Sequence, residues 1–166
     1  CEGKPFVLPP RVVVAAVARQ KPLWVPGTAH GYHAQTLGWM VGEIVRRITG
    51  RTIGRFFREE IASRFGLDFW IGLPPEQRDR VATSYGPPVP AGLNGSHELM
   101  RRALGGWTTQ QMNHPAAQGA EIPSSNGIGT AHAIARHYAA LIGEVDGARI
   151  LEPRTVAAAC QGEADR

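Results

Sequence analysis

The sequence predicts a mainly α-helical unit, on three observations. Apolar residues recur at spacings of three and four over 37–48, 53–65 and 128–142, the period of one helix face. Helix punctuation sits where those stripes stop and start: Gly50 and Gly66 close two of them, and Thr52 can cap the second. Only residues 67–72 are short and rich enough in aromatic and β-type residues to suggest a strand or extended segment.

The elements follow in order. Residues 1–10 form a loop ending in Pro9 and Pro10, and 12–20 is a short helix, favoured by its alanines and flanking prolines over its four valines. Residues 22–28 make a turn segment that is expected to bury Trp24. The strongest helix carries Leu37, Met40, Val41, Ile44, Val45 and Ile48 on a face expected to be buried, with Glu43, Arg46 and Arg47 opposite. Gly38 and Gly42, four apart, permit another backbone to come close. Each costs the helix roughly 1 kcal/mol against alanine, so packing should compensate. Ile53, Phe56, Phe57, Ile61 and Phe65 stripe the next helix, a short connection away, and the two should pack as neighbours.

Residues 74–81 suggest a helical turn opened by proline. Residues 83–95 look least ordered, 96–104 suggest a short helix capped by Ser96, and 105–123 a long loop carrying Trp107 and His114. A helix then spans 128–142, Asp146-Gly147 signals a hairpin-type turn, and a last helix starts near Pro153.

Bulk properties narrow the classes. A chain of 166 residues, 43% hydrophobic and 19% charged, suits one domain with a real core. No apolar run approaches the roughly 20 residues that span a bilayer. The net charge is +4, but the 16 Arg and two Lys are dispersed among 14 acids and are not interleaved with aromatics, so no nucleic-acid partner is expected. Cys1 and Cys160 fit neither a disulfide framework nor a zinc motif, and as free thiols they favour a reducing, cytoplasmic setting. His97-Glu98-Leu99-Met100-Arg101 has arginine where a second zinc ligand belongs, so no metal site is expected. Chain ends that read as mid-protein loop suggest a segment of a longer protein.

The chemistry centres on Pro26-Gly27-Thr28 and Tyr32. Pro-Gly fixes a tight turn, and the tyrosine after it stands at the start of the strongest helix, where the macrodipole favours a phenolate. A ring-packed tyrosine with a satisfied hydroxyl fits the same spacing. A free phenol has pKa about 10. Making it a base near neutrality needs roughly three units, on the order of 4 kcal/mol, from nearby cations.

Pro26-Gly27-Thr28, three residues, then Tyr32 resembles the tyrosine motif of the serine β-lactamase, penicillin-binding protein and esterase superfamily. The run from Tyr32 to Glu43 is most similar to family VIII carboxylesterases. Phe56–Ile61, Gly66–Gly72 and Asn126–Ala131 resemble later parts of the family, so the likeness covers most of residues 11–160. The resemblance implies an α/β fold of which this chain is mostly the helical subdomain. It also implies a serine nucleophile in Ser-x-x-Lys, with Tyr32 in proton transfer.

No Ser-x-x-Lys and no Lys/His-Thr-Gly occurs in residues 1–166. The nucleophile helix is therefore expected before residue 1 and the last sheet strands after residue 166, with the segment alone inactive. Penicillin-recognising branches place Asn two residues after the tyrosine; Ala34 stands here, which favours a small-molecule ester. His33 and Trp107 are candidate substrate contacts, and His114 a further wall residue. No cofactor is implied. Penicillin-binding or β-lactamase activity, and a non-catalytic protein retaining the fold, stay open. Ser124-Ser125-Asn126 resembles a Ser-Asp-Asn motif, but its place before a helix makes capping the expected role.

Overall fold

The computed structural model describes residues 9–29, 31, 33, 35–86 and 109–161. Among them, α1 (Pro10–Arg19) and α2 (Thr36–Thr49) lie against one another, and α2 packs on α3 (Ile53–Phe57). α3 runs straight into a π-helical turn over Arg58–Ala62. Strand β1 (Phe69–Ile71), a 3₁₀ turn (Pro75–Arg80), α4 (Thr109–Met112) and α5 (Pro115–Gly119) follow. Strand β2 (Gly127–Gly129), α6 (Ala131–Ile142) and α7 (Pro153–Ala159) complete the order. The segment is mainly helical, as its periodicity implies.

Local chemistry accounts for the boundaries. Pro10 occupies the first turn of α1, where its missing N–H costs nothing. Gly50 and Gly66 adopt positive φ of 71° and 61° and stop their helices. Thr52 caps α3 by accepting from the Arg55 N–H at 3.3 Å, and Thr130 caps α6 from Ala133 at 3.1 Å. Asp146 and Gly147, at φ 52° and 73°, form the two-residue turn between the bridged Val145 and Ala148.

β1 and β2 pair antiparallel, with Phe69 opposite Gly129, Trp70 opposite Ile128 and Ile71 opposite Gly127. The Phe69 ring lies over both glycines: a Cβ at Gly127 would come within 2.4 Å of Cζ, and one at Gly129 within 2.5 Å of Cδ2. Ile128 is therefore a strand residue and not the first residue of the following helix. The ribbon leans on a core of Ala62, Phe65, Leu67, Ala133 and Ala140, ringed by Phe57, Ile61, Phe69, Val145, Ala148 and Ile150. His137 on α6 sits 6.0 Å from the Phe57 ring, its Nδ1 buried without a hydrogen-bond partner. Burial pushes its pKa below the ordinary histidine value.

Several expectations need correction. Residues 105–123 are not one long loop, because α4 and α5 lie inside it. Trp24 is 42% exposed: its indole is pinned by Nε1 donating to the Ala29 carbonyl at 2.9 Å rather than enclosed by a core. The apolar face of α2 is also largely uncovered, with Leu37, Val41, Ile44 and Ile48 all exposed, and Ile134, Tyr138 and Ile142 are exposed on α6. The 3.6-residue period set the helix correctly; what it could not supply is the surface that covers the stripe. The proposed helix at 96–104 and His97 lie outside the described residues.

Candidate active site: the tyrosine turn

Two anchors bracket Tyr32, which itself lies outside the described residues, as does Trp107. On the N-terminal side the Pro26-Gly27 turn closes as expected. Gly27 takes φ 86°, and Thr28 returns both its N–H (3.1 Å) and its hydroxyl (2.7 Å) to the Val25 carbonyl. A Cβ at Gly31 would meet the Trp24 ring at 3.2 Å, so the indole packs against the backbone one residue before Tyr32.

On the C-terminal side, His33 is exposed and its Nε2 shares a short hydrogen bond with the Thr36 hydroxyl, in the first turn of α2. That bond commits one edge of the imidazole to the helix start. Gln35, the residue before α2, gives its own helix no side-chain cap. The cap comes from 86 residues away: the Ser124 hydroxyl accepts from the Gly38 N–H at 2.8 Å, and the Ser125 hydroxyl donates to Gln35 Oε1. Gly38 is buried, and a Cβ there would lie 2.5 Å from Ser124 Oγ and 2.6 Å from Ser124 N. The capping role expected of Ser124 is thus real, but it serves α2 and not the helix that follows it in sequence.

The same segment holds a second helix start. The Glu121 carboxylate accepts from the Thr52 hydroxyl at 2.7 Å and from the Gly54 N–H at 3.2 Å, a negative group where the α3 dipole favours one. Asn126, 5% exposed, folds the segment back on itself. Its Oδ1 accepts from the Ile122 N–H at 2.9 Å, and its Nδ2 donates to the Ala117 carbonyl at 2.8 Å and to that of Ala120. A Ser-Ser-Asn run is therefore built into the frame at the start of α2.

His114 lies at the start of α5. It caps α5, Nδ1 accepting from the Ala116 N–H at 3.1 Å. A separate concavity of about 370 Å³ runs along the β-ribbon, with Asp68, Trp70, Arg80 and Thr130 in its lining. Its arginine is already committed to Asp68 and Gln77. None of its described lining residues belongs to the tyrosine turn. No cluster of three His, Cys, Asp or Glu placed to hold a metal occurs among the described residues, and none of their helices is long and apolar enough to cross a membrane.

The described geometry is thus a tight turn and a tertiary-capped helix on either side of one tyrosine. The beta-lactamase family model matches residues 2–163. The chain belongs to the beta-lactamase family. Esterase/beta-lactamase LipL of Mycobacterium tuberculosis is 35% identical to it over 153 residues, 80% of this chain and 35% of the relative. A penicillin-binding protein homologue from Caulobacter crescentus superposes with TM-score 0.76 at 35% identity, over 93% of this chain and 42% of the other. EstA from Arthrobacter nitroguajacolicus Rue61a superposes with TM-score 0.69 at 30% identity, over 89% and 42%. The chain therefore spans about a third of the length of the curated relative and 42% of each solved chain. It lies in the serine β-lactamase and penicillin-binding protein-like superfamily near its esterases, and its helices are those of a β-lactamase-type fold.

Proposed function

We propose that the chain forms the tyrosine-bearing, helical side of a serine hydrolase site that cleaves carboxylic esters through an acyl-enzyme. The observation that carries this is the closed Pro26-Gly27-Thr28 turn that precedes Tyr32 in sequence, followed by α2 with its first turn capped by Ser124. The name of one relative, an esterase/beta-lactamase, supports it. In this reading a serine hydroxyl from outside these 166 residues adds to the ester carbonyl. Tyr32, working with a lysine of the same Ser-x-x-Lys motif, takes the serine proton and passes it to the leaving alcohol. Backbone N–H groups hold the oxyanion. Water then attacks the acyl-enzyme, returns a proton along the same route and releases the acid. His33 and Trp107 contact the substrate. No cofactor enters the scheme.

The exposed apolar stripes of α2 and α6 support a partial domain, because the rest of a larger fold would cover them. A second reading, penicillin recognition, is favoured by the β-lactamase and penicillin-binding names among the relatives. Ala34 weighs against it, having no side-chain group to hold a lactam amide. Kinetics of the full-length gene product on p-nitrophenyl esters, beside acylation by a labelled penicillin, separate the two. The proposal expects ester turnover that Tyr32→Phe lowers by about 10²-fold or more. Rapid penicillin acylation without ester turnover would overturn it in favour of the second reading.

A further inference from the structure

We propose that the concavity along the β-ribbon binds a small aromatic carboxylate, its ring against Trp70 and its oxygens on the donors of Gln77, Ser84 and Thr130. Occupancy there does not depend on the chemistry proposed for Tyr32.

The ribbon has two unlike faces. Phe69 turns to the core, its ring over Gly127 and Gly129. Alternation along the strands puts Trp70 and its partner Ile128 on the other face. Asp68 and Thr130 extend that face by one pair, the Thr130 N–H donating to the Asp68 carbonyl at 3.1 Å. All four line the concavity, and the 3₁₀ turn with the residues just after it supplies the rest of the wall. At about 370 Å³ the space falls within the range of small-molecule sites, roughly 300–1,000 Å³.

One part of the lining is flat and apolar. The Arg58 guanidinium stacks over the Trp70 ring, its Cζ 4.1 Å from the centroid, but Arg58 does not line the concavity. The concavity therefore meets the rest of the indole, beside Leu73, Val81 and Ile128. Such a slot suits a planar ring in offset stacking.

The polar part has donors to spare and lacks acceptors. Gln77 spends its Oε1 on Arg80, at 2.7 Å, which leaves its amide N–H groups over. The Thr130 oxygen accepts from the Ala133 N–H at 3.1 Å, and its own proton has no acceptor among the described residues. The same holds for the Ser84 hydroxyl, since Asn113 binds only the backbone of Ser84. Asp68 supplies no free acceptor, because Arg80 donates to both of its oxygens. Arg58 and Arg80 together face this one carboxylate, so the surroundings stay positive. A ligand carboxylate answers both features: it brings charge of the right sign and about four lone-pair sites for the spare donors.

Isothermal titration of the full-length gene product with 2-naphthoate tests the site, with 2-naphthylmethylammonium as a probe of the same ring and opposite charge. Naphthoate should bind with Kd on the order of 0.1–1 mM, and the cation at least about tenfold more weakly. Trp70→Leu should weaken naphthoate about tenfold. Gln77→Leu, a change on the 3₁₀ turn that removes only spare donors and the bond to Arg80, should weaken it about threefold and keeps the test decisive if Trp70→Leu does not fold. The proposal stands if the anion is preferred and every folded variant weakens it. It is overturned if millimolar naphthoate does not bind, if the cation binds as tightly, or if a folded variant binds naphthoate like the wild type. That last result would place the acid elsewhere, the proposed ester site included.

Discussion

Gly38 and Gly42 look equivalent in sequence, four residues apart on one helix, yet the structure predicts opposite responses to alanine. At both positions alanine gains up to about 1 kcal/mol of helix propensity. At Gly42 the new methyl meets Ile53 Cγ2 at 3.5 Å and Pro123 Cγ at 3.9 Å, ordinary contact distances. Gly42→Ala should therefore stabilise by about 0.5–1 kcal/mol. At Gly38 the methyl would stand 2.5 Å from Ser124 Oγ, 2.6 Å from Ser124 N and 3.0 Å from Pro123 Cβ. Backbone has to move, at a cost of about 1–3 kcal/mol. The Ser124 bond to the Gly38 N–H is lost as well, about 1 kcal/mol more. Set against the propensity gain, Gly38→Ala should destabilise by about 1–3 kcal/mol, leaving the variants about 2–4 kcal/mol apart. Urea titration read at constant m-value measures the difference. A Gly38→Ala protein as stable as wild type, or two variants moving together, would refute the close approach of Ser124 to α2.

Three further predictions rest on single groups. Asn126→Ala strands the Ile122 N–H and frees the Ala117 and Ala120 carbonyls in a buried place. It should cost about 2–4 kcal/mol in the same titration, where Ser63→Ala on the exposed end of the π turn costs less than about 0.5. Glu43 keeps 14% of its side-chain surface exposed, and hydrogen bonds from Arg46 and Arg47 pull its pKa from 4.5 to about 2. Its contribution is complete above pH 4.5 and disappears as pH falls through about 2, so Glu43→Gln should flatten the acid limb of thermal stability over that window. The pKa of His137 is lowered by burial, so the unfolded chain takes up the proton first. Stability should then be complete above pH 6.5 and decline as pH drops below it, a decline that His137→Phe removes.

The helical character was legible because α2, α3 and α6 carry both a 3.6-residue stripe and their own stop or cap residues. Gly50, Thr52, Gly66 and the Asp146-Gly147 turn all act locally, and local chemistry is what a sequence displays. The expected helix over 53–65 nevertheless changes to a π turn at Arg58, a switch with no signal in the apolar spacing. The apolar stripe of α2 was legible too, but its exposure was not, since burial depends on what covers a face. The turn at Pro26-Gly27 was readable from the dipeptide itself. The cap that Ser124 gives α2 was not, because Ser124 and Gly38 are 86 residues apart. The one available hint was the absence of a capping side chain at Gln35, which left α2 in need of a cap from elsewhere. His114, chosen for its place in an expected loop, turned out to cap a short helix that the loop contains.

The central claim is that Tyr32 moves the proton when a serine is acylated. Rapid-quench mass spectrometry of the full-length gene product mixed with a p-nitrophenyl ester follows that step alone. The account predicts an acyl adduct on a serine outside residues 1–166, formed about 10²–10⁴-fold more slowly in Tyr32→Phe. Acylation at an unchanged rate in Tyr32→Phe, or an adduct on a serine within these 166 residues, would contradict it.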